Sequence, residues 1–139
     1  MNPSVRLECA RDGAVVETVL VAPDDSYPYS LTVCRASGEE VVYSGESLLA
    51  CLVSFRKVLE QEGLLLCCQG ARSDVTSSGM QSQMTGSRWV YVFDREERKL
   101  SGEVVDILAP AGPEEAVTVA EQRAELFRFL GIPDPGCES

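Results

Sequence analysis

An α+β fold, a mostly antiparallel sheet of about six to seven strands with two main helices packed on it, is what this sequence predicts. Three observations predict it. Period-two alternation broken by turn residues dominates residues 5–43. Segments 44–61 and 118–130 space their apolar residues as helices do and carry start and stop signals. Between them, residues 64–68 and 89–93 form apolar runs too short for helices.

Each element follows in order. Val5-Arg6-Leu7-Glu8-Cys9 alternates as a half-buried strand. Asp12-Gly13 marks a hairpin. Residues 14–22, rich in Val and Thr, give the second strand. Residues 23–28 form a loop, 29–35 a third strand, Ser37-Gly38 a turn and 40–43 a fourth strand. Ser44 is expected to cap a helix reaching Gln61, with Glu46 in its first turn. Leu48, Leu52, Phe55 and Leu59 form its apolar stripe, and Arg56 and Lys57 fall on the solvent side beside Glu60. Gly63 ends it. Residues 64–68 read as a central strand buried on both faces, paired with 89–93, where Trp89, Tyr91 and Phe93 share a face. Residues 95–99 are a charged turn and 104–108 a further strand. Residues 110–113 are a linker. Thr118 and Glu121 form a capping box for the last helix. Ala120, Ala124 and Phe127 make one row on it, and Arg123, Leu126 and Leu130 the next. Gly131 and Pro133 stop it.

The chain has 139 residues, of which 45% are hydrophobic, enough for one core. Residues 1–133 are expected to form a single domain, with 134–139 a flexible tail. No apolar run reaches the length of a membrane span. The N-terminus lacks a basic head followed by an apolar stretch, so a cytoplasmic protein is expected. The six cysteines include no Cys-x-x-Cys pair, and five lie in apolar segments, as buried thiols do. There is no histidine. That removes Ser-His-Asp and Cys-His chemistry and most catalytic zinc sites. Neither phosphate-binding glycine pattern occurs. No metal, cofactor or enzymatic activity is expected; catalysis would need a pocket gathering Asp74 with Tyr91 or Cys68.

The net charge is −10. The acidic surplus lies in the first fifty residues and after residue 100; the middle is near balance. Such a surface repels nucleic-acid phosphate and attracts a basic partner. The middle holds the candidate site, a loop of small residues from Gly70 to Arg88 between two strands. Ser78 and Gln81 have capping-box spacing, and Met80 and Met84 sit four apart. Three readings stay open. The loop is a lid whose methionines plug the core. Or it is a docking surface made by Arg72, Asp74, Ser78, Met80, Gln83, Met84 and Arg88. Or it is an anion site between Arg72, Ser78, backbone amides and Arg88. Asp74 is expected to pair with Arg72 or cap the following turn.

Residues Gly70-Ala71-Arg72-Ser73-Asp74-Val75, then Ser78-Gly79-Met80 and Gln83-Met84 before an aromatic strand, resemble a group of small bacterial proteins associated with the immunity proteins of polymorphic toxin systems. Val105-Asp106-Ile107 and Val119-Ala120-Glu121-Gln122-Arg123-Ala124 are similar to that group as well. Where the group leads us to expect an aromatic–proline pair before Ser78, this chain has Thr76-Ser77. The resemblance spans residues 64–127. It implies membership of that group; with the acidic ends, the absent histidine and the small-residue loop, a non-catalytic immunity-type protein that neutralises a basic toxin or similar partner by occlusion is expected. The alternative is a sensor of small anions, or an accessory subunit, using the 70–88 loop.

Overall fold

The computed structural model describes residues 4–24, 26–76 and 88–131. It is an α+β fold, with eight strands in two sheets and two principal helices among the described residues. The strands are β1 (Val5–Arg11), β2 (Ala14–Asp24), β3 (Tyr29–Cys34), β4 (Glu40–Gly45), β5 (Leu65–Cys67), β6 (Val75–Thr76), β7 (Trp89–Asp94) and β8 (Lys99–Asp106). The helices are α1 (Leu48–Gln61) and α2 (Val119–Leu130), and a 3-10 turn spans Gln69–Ala71. The first sheet has the order β4-β3-β2-β1-β5 and the second β6-β7-β8. All pairings are antiparallel.

The opening meander forms as its alternation predicts. At Asp12-Gly13 both residues take positive φ, 53° and 82°, the backbone of a type I′ turn. Leu7, Val19, Val21, Leu31 and Val33 face inward and are buried against Leu48, Leu52, Phe55 and Leu59 of α1. Val75, Val90, Val92, Ile107 and Leu108 join the same core, so both sheets share one interior. Helix α1 ends in a Schellman motif: Gly63 takes φ 78°, its N–H donates to Glu60, and Leu64 N–H donates to Leu59.

Five expectations are corrected. The cap of α1 is Ser47, whose hydroxyl accepts from Ala50 N at 3.0 Å, because β4 runs on through Ser44 to Gly45. Glu46 therefore precedes the helix. β5 is an edge strand, not a central one. It pairs with β1, and its other side is covered by coil: Gln69 N–H donates to Ala109 O and Ala111 N–H to Cys67 O. That cover makes an edge strand as apolar as a central one. β7 does not pair with β5 but lies at the centre of the second sheet. A register irregularity between Tyr91 and Phe93 breaks their common face: Trp89 is 43% exposed while Phe93 is buried.

The fourth correction is Arg56. It is buried, at 1% exposure, and not on the solvent side. Its guanidinium donates to Gly70 O, Val117 O and Gln122 Oε1, joining α1 to the 3-10 turn, the coil before α2, and α2 itself. Gln122 Nε2 donates in turn to Gly70 O and Arg72 O, both at 2.8 Å. The fifth follows from this. The inward side of α2 carries Gln122, Leu126 and Phe129, all half-buried, with Phe129 stacked on Phe93 at 4.2 Å; Ala120 and Leu130 are exposed. A polar residue at the anchoring position hides the true stripe from a count of apolar spacing. The capping box of α2 is present as expected, with Thr118 Oγ1 accepting from Glu121 N and Glu121 Oε1 from Thr118 N.

Gly70 is the tightest point of this junction. A Cβ there would lie 2.8 Å from both Ile107 Cβ and Leu52 Cδ2, and 3.1 Å from Ile107 O. Gly70→Ala is expected to destabilise the fold by about 1–3 kcal/mol through overpacking, read as a lower urea midpoint.

At the other end of the first sheet, Arg35 donates to both oxygens of Glu17, at 3.0 and 2.7 Å, and of Glu62, at 2.7 and 2.9 Å. Hydrogen bonds from Arg35 hold both carboxyls below the ordinary glutamate range. A carboxylate held low in the folded chain adds stability above the ordinary value of 4.5, and that contribution is lost as pH falls through the folded-state value. Stability measured by urea titration is therefore expected to fall with pH below the ordinary range. Glu17→Gln should flatten the slope more than Glu62→Gln, since Glu62 is the more exposed partner.

The five described cysteines are free thiols, and Cys9, Cys51, Cys67 and Cys68 are buried, as their apolar surroundings predict. The tail 134–139, with Cys137, lies outside the described residues.

Candidate functional site: an acid-lined concavity beside Trp89

The 3-10 turn, the start of β7, the end of β8 and the coil at 109–117 enclose an open concavity of about 840 Å³. Two arginine–aspartate clasps hold its acids in place: Arg72, Asp74 and Asp106 line it, and Arg88 holds Asp106. Arg72 leaves the turn extended and bridges Ala116; its Nε and Nη2 donate to the two oxygens of Asp74, each at 2.9 Å, and its Nη1 donates to Gln69 Oε1 at 2.8 Å. Arg88, just before β7, donates from Nε and Nη2 to the two oxygens of Asp106, at 2.8 and 3.1 Å. Asp106 Oδ1 also accepts from Leu108 N at 3.0 Å. Both clasps are bidentate, the strong geometry for guanidinium and carboxylate.

Three further carboxylates line the concavity. Glu103 comes from β8, and Glu114 and Glu115 from the turn that follows Gly112. None of the three has an ion-pair partner among the described residues. Two of the five acids are thus neutralised by arginine and three are not. Trp89, the single tryptophan of the chain, borders the same space. Asp94 and Glu96, in a neighbouring hollow that Glu103 also lines, continue the acidic surface.

This arrangement favours a cationic group: unpaired carboxylates supply the charge, and an exposed indole supplies a face for a guanidinium or ammonium. It offers little to a nucleophilic reaction. Asp74 is held by Arg72, and Cys68 is fully buried, with burial pushing its thiol up to about 12. Among the described residues no group of three His, Cys, Asp or Glu side chains is placed to hold a metal ion.

Of the residues predicted from sequence, Arg72 and Asp74 line this concavity, with Asp74 paired to Arg72 as expected, whereas Arg88 is not in its lining and is tied to it through Asp106. Ser78, Met80, Gln83 and Met84 lie outside the described residues. Glu103, Glu114, Glu115 and Trp89 were not among the predicted site residues. The signal available for them was the acidic surplus after residue 100 and the only tryptophan in the sequence. No described helix is long and apolar enough to cross a membrane. No family model matches the chain, and no curated protein is significantly similar to it.

Proposed function

We propose that this chain is a non-catalytic, cytoplasmic binding protein of the bacterial immunity type, which takes a basic partner, a toxin domain, into the acid-lined concavity and neutralises it by occlusion. The observation that carries this reading is the set Glu103, Glu114 and Glu115, without ion-pair partners among the described residues, around the concavity that Trp89 borders. Opposite charge steers the encounter and fixes its register. A partner arginine or lysine stacks on the indole, where desolvation strengthens the contact. The free thiols of the described cysteines suit a reducing compartment.

The anion-sensor alternative fares less well on the same geometry, because Arg72 directs its fork at Asp74 and Gln69. Phosphorylated metabolites are expected to leave the melting temperature unchanged.

With the chain as immobilised bait, a basic polypeptide is expected to be retained from bacterial lysate and lost when Glu103, Glu114 and Glu115 are all changed to glutamine. Failure to retain any basic protein, or equal retention by the variant, contradicts the reading.

A further inference from the structure

The two helices are bound to the fold in different ways. Six residues of α1 are buried, among them Leu48, Leu52, Phe55 and Leu59. None of the twelve residues of α2 is buried. An apolar hollow of about 200 Å³ lies between Val119 and Leu126 of α2 and Leu49, Val53 and Val75 of the rest of the fold. A helix placed this way draws little stability from apolar burial. Polar bonds dock it instead. Glu60 Oε2 accepts from Val119 N at 2.9 Å, and Glu125 Oε2 accepts from Arg95 at 3.2 Å. Gln122 joins Arg56 to the carbonyls of Gly70 and Arg72, and Phe129 stacks on Phe93. The helix also closes its own ends, through its capping box and through Gly131 at φ 73°.

We infer that α2 is a strap that undocks as a unit while α1 and both sheets stay folded, and that its docked state sustains the acid-lined concavity. Elements with little buried apolar surface open at a lower free energy than the whole domain. The strap and the concavity share one stretch of chain. The coil that carries Glu114 and Glu115 runs through Val117 into α2, and Val117 N–H donates to Ala71 O. Undocking withdraws Gln122 from Gly70 O and Arg72 O, the carbonyls of the turn that aims Arg72 at Asp74. A partner held in the concavity therefore binds the docked state and stabilises it, a consequence that rests on the function proposed for the concavity.

Native-state hydrogen exchange of the full chain, resolved by residue at low urea, tests this. Amides from Gln122 to Phe129 are expected to share one opening free energy that falls with urea, with protection about a hundredfold or more below that of α1. Two variants separate this opening from global unfolding. Val19→Ala, in the first sheet, should lower the protection of α1 about tenfold and leave that of α2 unchanged, because Val19 stays packed when α2 is undocked. Phe129→Ala should lower both by the same factor, because either opening breaks its stack on Phe93. Equal protection in α1 and α2 overturns the strap, as does a Val19→Ala loss that reaches α2 in full. Protection that fades inward from Leu130 without urea dependence is end fraying and overturns it too. Saturating oligoarginine peptide should raise the protection of α2 about tenfold or more. Trp89 emission that reports bound peptide while α2 protection stays unchanged overturns the link to the concavity. A peptide that moves neither counts against the proposed function, and exchange in the free protein decides the strap by itself.

Discussion

Arg56→Ala is expected to lower the free energy of unfolding by about 3–5 kcal/mol, a large share of the stability of a domain this size. Two effects add. Truncating a large side chain at 1% exposure leaves a cavity at the junction of α1, the 3-10 turn and α2. It also strips a donor from Val117 O and Gln122 Oε1, and a bare buried acceptor costs about 1–3 kcal/mol, while Gly70 O keeps its bond from Gln122 Nε2. All three acceptors are uncharged, so no carboxylate is left stranded by the change. Burial pulls the guanidinium's pKa below its ordinary value, yet arginine stays charged at any physiological pH. Two controls separate the effects. Arg56→Met fills the space without donors and should fall between the wild type and alanine. Arg56→Lys keeps the charge but lacks the fork that spans three acceptors, and should cost more than a surface Arg-to-Lys change. Urea unfolding reads all three; a loss below about 1 kcal/mol for alanine contradicts the clasp.

The position of Arg56 shows where sequence reading stops. Leu48, Leu52, Phe55 and Leu59 announce the buried face of α1, Gly63 its end, Asp12-Gly13 the first hairpin, and Thr118 with Glu121 the start of α2. These signals are local, and each is satisfied within a few residues. Arg56 sits at the border of the apolar stripe, and only the arrival of Gly70, Val117 and Gln122 gives its charge acceptors to bury against. The pairing of β7 with β6 and β8 is equally nonlocal: apolar content marks a buried strand without naming its neighbour. The site divides the same way. Arg72 and Asp74 are two residues apart, and their pairing is legible. Glu103, Glu114 and Glu115 reach the same concavity from a strand and a distant turn, and in sequence they are only part of an acidic surplus.

Changing Glu103, Glu114 and Glu115 together to glutamine is the second large effect expected, on binding rather than stability. These side chains have no ion-pair partner among the described residues, so the fold should keep its unfolding midpoint. Binding of a basic partner should weaken by roughly ten- to a hundredfold, since each exposed pair contributes up to about 1 kcal/mol. Much of the loss should lie in the association rate, and the salt dependence of binding should flatten. Asp74→Asn is the opposite case. It removes Arg72's bidentate partner, so it should lower stability, while it leaves Glu103, Glu114 and Glu115 in place. A triple variant that unfolds early, or that binds as the wild type does, contradicts this division of roles.

The fluorescence of Trp89 is the most direct probe of cation capture, because it is the chain's only tryptophan and borders the unpaired carboxylates. Titration with a short oligoarginine peptide at low salt is expected to change its emission saturably, with an affinity that falls as salt rises and is largely lost in the Glu103→Gln, Glu114→Gln, Glu115→Gln protein. An emission that does not respond to the peptide, or that responds equally in the wild type and the triple variant, would contradict it.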